Sequence, residues 1–256
     1  MSELKSGVID SHCHLDFKHF NKDREAVIAR ARDSGVVCMI NSGVDYATNK
    51  STLELTEKYD FIYPTLGLNP NSLPGKSDAD VQAILDQIRE NAARAVGVGE
   101  AGLDYYRCAD PRDRKRQVEV FQKVIDLARS LDLPLIIHAR DTEQQAFDMV
   151  KDLEKVVFHC YSGTLPTMKQ AIDRGFYVSL ATIVCRSNQH KILARNLPLE
   201  NMLVETDSPY LSPSRGRNEP ANVLESVNLI ARIKGVDPSA VAEASARNTR
   251  KIYRLP

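Results

Sequence analysis

The sequence predicts an α/β chain folded as a (β/α)8 barrel, on three observations. Eight short apolar runs rich in Val and Ile recur along the chain with helical patterns between them. The runs are near-continuous in apolar character, as in VVCMI and PLIIH, which is what strands covered on both faces require; the sheet is therefore parallel, with helices outside. Six polar residues, the imidazoles of His12, His14, His138 and His159 and the carboxylates of Glu100 and Asp207, fall at the ends of five of these runs. The rival is an open doubly wound sheet, but there strands so distant in order could not bring these residues to one point, whereas in a barrel they must meet at the C-terminal face.

In chain order the runs are Val8 to His14, Val36 to Ser42, Ile62 to Asn69, Ala95 to Asp104, Leu135 to Arg140, Val156 to Tyr161, Phe176 to Ile183 and Met202 to Asp207. After the first, Asp23 is placed to cap a helix carrying Val27, Ile28 and Ala31, and Gly35 sits where a glycine ends it. A longer helix spans Arg112 to Leu131, with Val118, Phe121, Val124, Ile125 and Ala128 on one stripe, and Pro134 marks the start of the next strand. Further helices are expected at Asp78 to Ala93, Leu165 to Arg174, Ala221 to Lys234 and Ser239 to Tyr253. The stretch from Ser208 to Pro220 is too rich in Pro, Ser and Gly to be regular and is expected to form a loop over the barrel mouth. No linker or composition shift divides the chain, so residues 1–256 are read as a single barrel domain.

With 34 basic and 34 acidic side chains the net charge is zero, so no global field draws the protein to nucleic acid or to an anionic membrane, and any such partner needs a local patch. Five cysteines lack CxxC spacing, and several lie inside apolar runs as small buried hydrophobes, which suits a reducing compartment. The leading MSELKSG has no apolar signal core, and no run approaches the ~18 apolar residues a membrane helix needs. A cytoplasmic protein without a membrane partner or an obligatory protein partner is the expectation.

The chemistry begins with His12 and His14, two residues apart at a strand end, so that both imidazoles point the same way while Cys13 points to the other side. Together with Glu100, His138, His159 and Asp207 they make a nitrogen and oxygen donor set for one or two divalent cations. Imidazole favours a transition metal such as Zn or Mn over Mg. Glu100 can bridge two ions roughly 3.5–4 Å apart, an arrangement that activates water for in-line attack on phosphoesters. Asp207 can hold metal through one oxygen and accept a proton through the other. Glu205 and Asp10, deeper on the same strands, are read as structural acids outside the site. Cys13 and Cys160 are read as core residues, and His19 and His190 as surface residues.

Taken together and in order, DSHCHLD, GEAGLDYY, IIHAR, FHCYSG and ETDSPYL, followed by RGRNEP, resemble the TatD family of metal-dependent deoxyribonucleases across nearly the whole chain. The resemblance implies a (β/α)8 barrel of the metal-dependent hydrolase type, with the same six residues at the metal-binding positions; on the chemistry above, Glu100 and Asp207 are the expected catalytic residues. It also implies DNA as substrate, with single strands or frayed ends expected, and the zero net charge argues for small or locally bound substrates. The family is usually described as Mg-dependent, so the metal stays open among Mg, Mn and Zn. One departure stands out: where the family reads Gly-x-His-Pro, this chain reads Gly67-Leu68-Asn69-Pro70. Asparagine can donate to a phosphate oxygen but carries no charge and passes no proton near neutral pH. Arg140, Arg215 and Asn218, in strand-end loops, are expected to join Asn69 in contacting substrate. The charge run Arg112 to Arg116 reads as the exposed start of a helix. Tyr105, Tyr106, Tyr161 and Tyr210 either stack on bases or pack the upper barrel. The alternative activity is amidohydrolase-like cleavage of an amide, lactone or ester on the same site.

Overall fold

The computed structural model of the protein describes residues 7–256; the leading MSELKS, on which the reading of the N-terminus partly rests, lies outside the described residues. Eight strands pair in parallel and in chain order: β1 (Val8–Cys13), β2 (Val36–Ser42), β3 (Ile62–Leu68), β4 (Gly97–Asp104), β5 (Leu135–Arg140), β6 (Val156–Phe158), β7 (Tyr177–Ala181) and β8 (Met202–Glu205). Each expected apolar run holds one of them. Between and after them lie α1 (Arg24–Asp33), α2 (Tyr46–Thr56), α3 (Asp78–Glu90), α4 (Pro111–Leu131), α5 (Glu143–Val150), α6 (Leu165–Asp173), α7 (Asn188–Asn196), α8 (Val223–Lys234) and α9 (Pro238–Tyr253). The architecture is the expected (β/α)8 barrel. No described helix is long and apolar enough to cross a membrane.

The seam between β8 and β1 closes just past the end of β8. Asp207 donates its backbone N–H to His12 O at 2.9 Å, and His14 donates to Ser208 O at 2.8 Å. Below them the Asp10 carboxylate accepts from Thr206 N at 2.8 Å and from Thr206 Oγ1 at 2.6 Å. Asp10 is thus a seam residue rather than one lying beneath His12. Simple alternation misplaces it because the β1–β2 register shifts between Asp10 and Cys13. Similar shifts interrupt β3–β4 and β4–β5 around Gly67 and Glu100, so β1 and β4, which carry His12 and Glu100, are both irregular.

Inside the barrel Ile9, Cys38, Ile40, Ile136, Val157 and Leu203, from five strands, form a cluster that Ile252 and Tyr253 of α9 complete. A larger apolar layer lies between sheet and helices. Three helices lie outside the expected set, α2, α5 and α7, of 11, 8 and 9 residues, each too short for its apolar positions to repeat over more than about three turns. The start of α2 is set instead by a reciprocal cap, in which Thr48 N donates to Asp45 Oδ1 at 2.9 Å and Asp45 N donates to Thr48 Oγ1 at 2.9 Å. Asp23 precedes α1 as expected but makes no side-chain cap. It pairs with Arg217, at 2.7 Å, and so ties α1 to the loop after β8.

Candidate metal centre

Bringing Glu100 and His138 together requires backbones closer than side chains permit. A Cβ on Gly67 would lie 2.4 Å from both the N and the O of Glu100, and one on Gly102 would lie 1.9 Å from His138 O. Glycine at these two points lets β3, β4 and β5 close up and turns Glu100 into the barrel mouth.

The six expected donors meet there. Glu100 presents one oxygen to each of two groups. Its Oε2 lies 3.3 Å from His12 Nε2 and 3.5 Å from His14 Nε2, with Asp207 Oδ1 3.4 Å from His14 Nε2. Its Oε1 lies 2.7 Å from His138 Nδ1 and 3.1 Å from His159 Nε2. Asp207 reaches this position from the left-handed region, at φ 54°, a conformation held by the seam bond from its own N–H to His12. The side chains of His12, His14, Glu100 and His159 are at most 5% exposed, whereas His138 and Asp207 keep 19% and 15%. Access is therefore from the His138 and Asp207 side.

Each imidazole has one nitrogen turned inward, and in His12, His14 and His138 the other is engaged behind it. His14 Nδ1 donates to the Ser42 carbonyl at 2.8 Å, His12 Nδ1 contacts Ser42 Oγ at 3.2 Å, and His138 Nε2 donates to Asp104 Oδ2 at 3.1 Å. His159 Nδ1 faces Glu205 Oε1 at 3.4 Å without hydrogen-bond geometry, and Glu205 Oε2 accepts from Ser179 Oγ. Because a carbonyl can only accept, the neutral His14 ring must carry its hydrogen on Nδ1 and aim a lone pair at two carboxylates. Lone pairs so opposed need a proton or a cation between them, and the donor set fits a divalent metal.

The electrostatics agree. Burial pushes the Glu100 carboxyl up, but the surrounding imidazoles outweigh it and hold the group well below the usual range. Burial lowers His14, and Asp207 with Glu100 more than reverse this, raising it to about 9. Charge in the pocket balances only with protons or cations on the inward nitrogens.

The other expected site residues divide. Asn69 is buried, donates Nδ2 to Glu100 Oε1 at 2.5 Å and accepts from Asn71 N at 2.8 Å; its amide holds a carboxylate rather than facing substrate. Asn218 is a correction. It is fully buried, with Nδ2 donating to Thr182 Oγ1 and Thr206 O at 2.8 Å each and Oδ1 accepting from Glu219 N and Asn222 Nδ2. With both ends of the amide occupied, it anchors the loop after β8 and has nothing left for a ligand. Arg140 is half-buried with its guanidinium 3.7 Å above the exposed Tyr106 ring, and Arg215 is exposed. Tyr161 packs in the core, its hydroxyl donating to Thr164 O, while Tyr210 is exposed. His19 is exposed as expected; His190 is buried, capped against Ser187 Oγ at 2.8 Å, because α7 turns it inward. Asp104, behind His138, went unnoticed. Its position at the end of β4, within GEAGLDYY, was the available signal.

A family model described as TatD related DNase matches residues 9–254. An uncharacterized metal-dependent hydrolase of Methanocaldococcus jannaschii is 38% identical over 247 residues, covering 96% of both chains. The human deoxyribonuclease TATDN3 is 30% identical over 96% of this chain and 94% of its own. The 3'-5' ssDNA/RNA exonuclease TatD of Salmonella typhimurium is 30% identical over 97% of this chain and 99% of its own. Among solved structures, the TatD homologue YjjV of Escherichia coli superposes with a TM-score of 0.89 at 28% identity, covering 97% and 98% of the two chains. A chain whose donors converge in this way and whose sequence matches from end to end belongs to the TatD-related DNase family, and it is a metal-dependent hydrolase.

Proposed function

We propose that the protein is a cytoplasmic, single-domain phosphodiesterase that hydrolyses DNA at single strands or frayed ends. The observation that carries this reading is Glu100, whose two oxygens serve two separate donor groups. His12, His14 and Asp207 with Glu100 Oε2 would hold one divalent ion, and His138 and His159 with Glu100 Oε1 a second. When bound, such ions polarise a phosphoryl oxygen and lower the pKa of an attacking water. Asp207 directs Oδ1 at His14, which leaves Oδ2 as the oxygen that would accept a proton from an attacking water. Asn69 fixes the Glu100 rotamer through its Oε1 contact. The exposed edges of His138 and Asp207 mark where the scissile phosphate enters, and Arg140, on its Tyr106 platform, stands at that mouth to meet phosphate charge. Arg215 is assigned a similar, more peripheral contact. The names of the human and Salmonella relatives support a nucleic-acid substrate. Five free cysteines suit a reducing cytoplasm.

The test is cleavage of a short end-labelled single-stranded oligonucleotide with Mg, Mn or Zn. Activity is expected in wild type and absent in His138→Ala and Asp207→Ala. Wild type that binds metal but cleaves no oligonucleotide, while turning over an amide, lactone or ester panel, would replace this reading with the amidohydrolase-like one.

A further inference from the structure

Beside the metal centre lies a cavity of about 460 Å3, between the loop that follows β3 and the loop that leads into α4. Its size falls within the ~300–1,000 Å3 of small-ligand sites. The inner wall is continuous with the centre. Asn71 donates Nδ2 to Asp104 Oδ2 at 2.9 Å, and the same oxygen accepts from His138 Nε2. Gln117, also on the wall, accepts from Asp104 N at 2.9 Å. Pro70, Leu73 and Ala109 give the cavity apolar surfaces.

The rim is cationic. Arg116 is already committed, to Asp78 at 2.9 Å and to Lys76 O at 3.0 Å. Lys76 and Arg107 pair with no carboxylate among the described residues, and Arg107 is exposed. Among the described residues, Asp113 is the one acidic side chain that lines the cavity. On a chain of zero net charge, two uncommitted cations over a partly apolar cleft that abuts the centre form a local patch of the kind a polyanion needs. A free anion would leave the apolar wall without a use, whereas a nucleotide has a flat base for that wall and a phosphate for the rim.

We infer that this cleft is a subsite for a nucleotide of the single-stranded substrate adjoining the scissile bond, with its base against Leu73 and Pro70 and its phosphate between Lys76 and Arg107. The inference rests on the nuclease reading. It makes the cleft a determinant of strand binding that small phosphodiesters do not use.

The experiment compares KM for a short single-stranded oligonucleotide with KM for bis(p-nitrophenyl) phosphate, on the metal-loaded enzyme, across about 50–200 mM salt. The variants are Lys76→Ala with Arg107→Ala, and Ala109→Trp, which fills the cleft from an exposed position. At ~0.1 M salt one phosphate contact is worth about fivefold on a single strand, so the ratio of the two KM values should rise roughly fivefold in the double variant. The slope of log KM against log salt should fall by about 0.7 in the double variant, which loses that one phosphate contact. Ala109→Trp should raise the ratio while leaving the salt slope near that of wild type. An unchanged ratio in both variants, with wild type cleaving both substrates, would overturn the subsite and leave the nuclease intact. Wild type that cleaves the small ester but not the oligonucleotide would overturn the nuclease reading, and the subsite with it.

Discussion

Asp104→Asn is the sharpest test of how the centre is built. The Asp104 side chain has no exposed surface and accepts three bonds: from Arg107 N to Oδ1 at 2.9 Å, and from Asn71 Nδ2 and His138 Nε2 to Oδ2 at 2.9 and 3.1 Å. Burial pushes the carboxyl up, but these bonds outweigh it and hold the group at about 2. An asparagine has one acceptor. The backbone N–H of Arg107 cannot reorient, so the amide oxygen must stay beside it, and the amide nitrogen then faces Asn71 Nδ2 and His138 Nε2, donor against donor. His138 relieves the conflict by moving its hydrogen to Nδ1, the atom that faces Glu100 Oε1 at 2.7 Å. A protonated Nδ1 cannot ligate. Loss of a partner behind a ligating histidine costs about 10–100-fold in metal affinity or activity, equivalent to about 1.4–2.7 kcal/mol. Titration calorimetry of Mn or Zn into metal-free protein reads this directly, with kcat/KM on a phosphodiester as the second measure. Because volume is conserved, the fold should persist by circular dichroism. Metal affinity within twofold of wild type, in folded protein, would refute the assignment of Nδ1 as the inward atom and of Asp104 as the group that holds it.

Three further outcomes are expected. Gly67→Ala places a methyl 2.4 Å from the Glu100 backbone and should cost about 1–3 kcal/mol in chemical denaturation; a loss below ~0.5 kcal/mol would mean that β3 and β4 part easily. Stripping metal with a chelator should lower Tm, since an ion at 100 times its Kd adds about 2.7 kcal/mol, or roughly 5–10 °C for a chain of this size; an unchanged Tm would argue against ions in this donor set. Asp23 is held below its ordinary 3.8 chiefly by its bond to Arg217, so the tie between α1 and the loop after β8 is present above that pH and is lost as pH falls through the lower folded value. Limited proteolysis within 208–219 should therefore quicken on acidification and in high salt, and Arg217→Ala should show the fast rate at every pH; equal rates in variant and wild type would disprove the tie.

The barrel was legible because its signal is carried by composition: a strand buried on both faces must be apolar almost throughout, and β2 and β5 read that way without any knowledge of their neighbours. The six donors were legible for a related reason. In a parallel barrel every strand ends at the same face, so a polar residue that ends an apolar run is already assigned a place. What local pattern could not supply was the partner of each remaining polar group. Asn218 and Arg140 look equally available in the sequence, yet one is consumed by four hydrogen bonds and the other keeps its guanidinium over the exposed Tyr106 ring. Asn69 looked like a substrate donor until Glu100 was found beside it, and Asp10 left the expected face because a register shift turns the strand. The sequence by itself determined the fold class and brought six candidate donors to one face of it, since burial and strand polarity act on each residue alone. Only the tertiary structure decided which nitrogen of each histidine faces inward, which amides are already spent, and that two cations stand uncommitted beside the centre, because hydrogen bonds and ion pairs belong to residues distant in the chain and near in space.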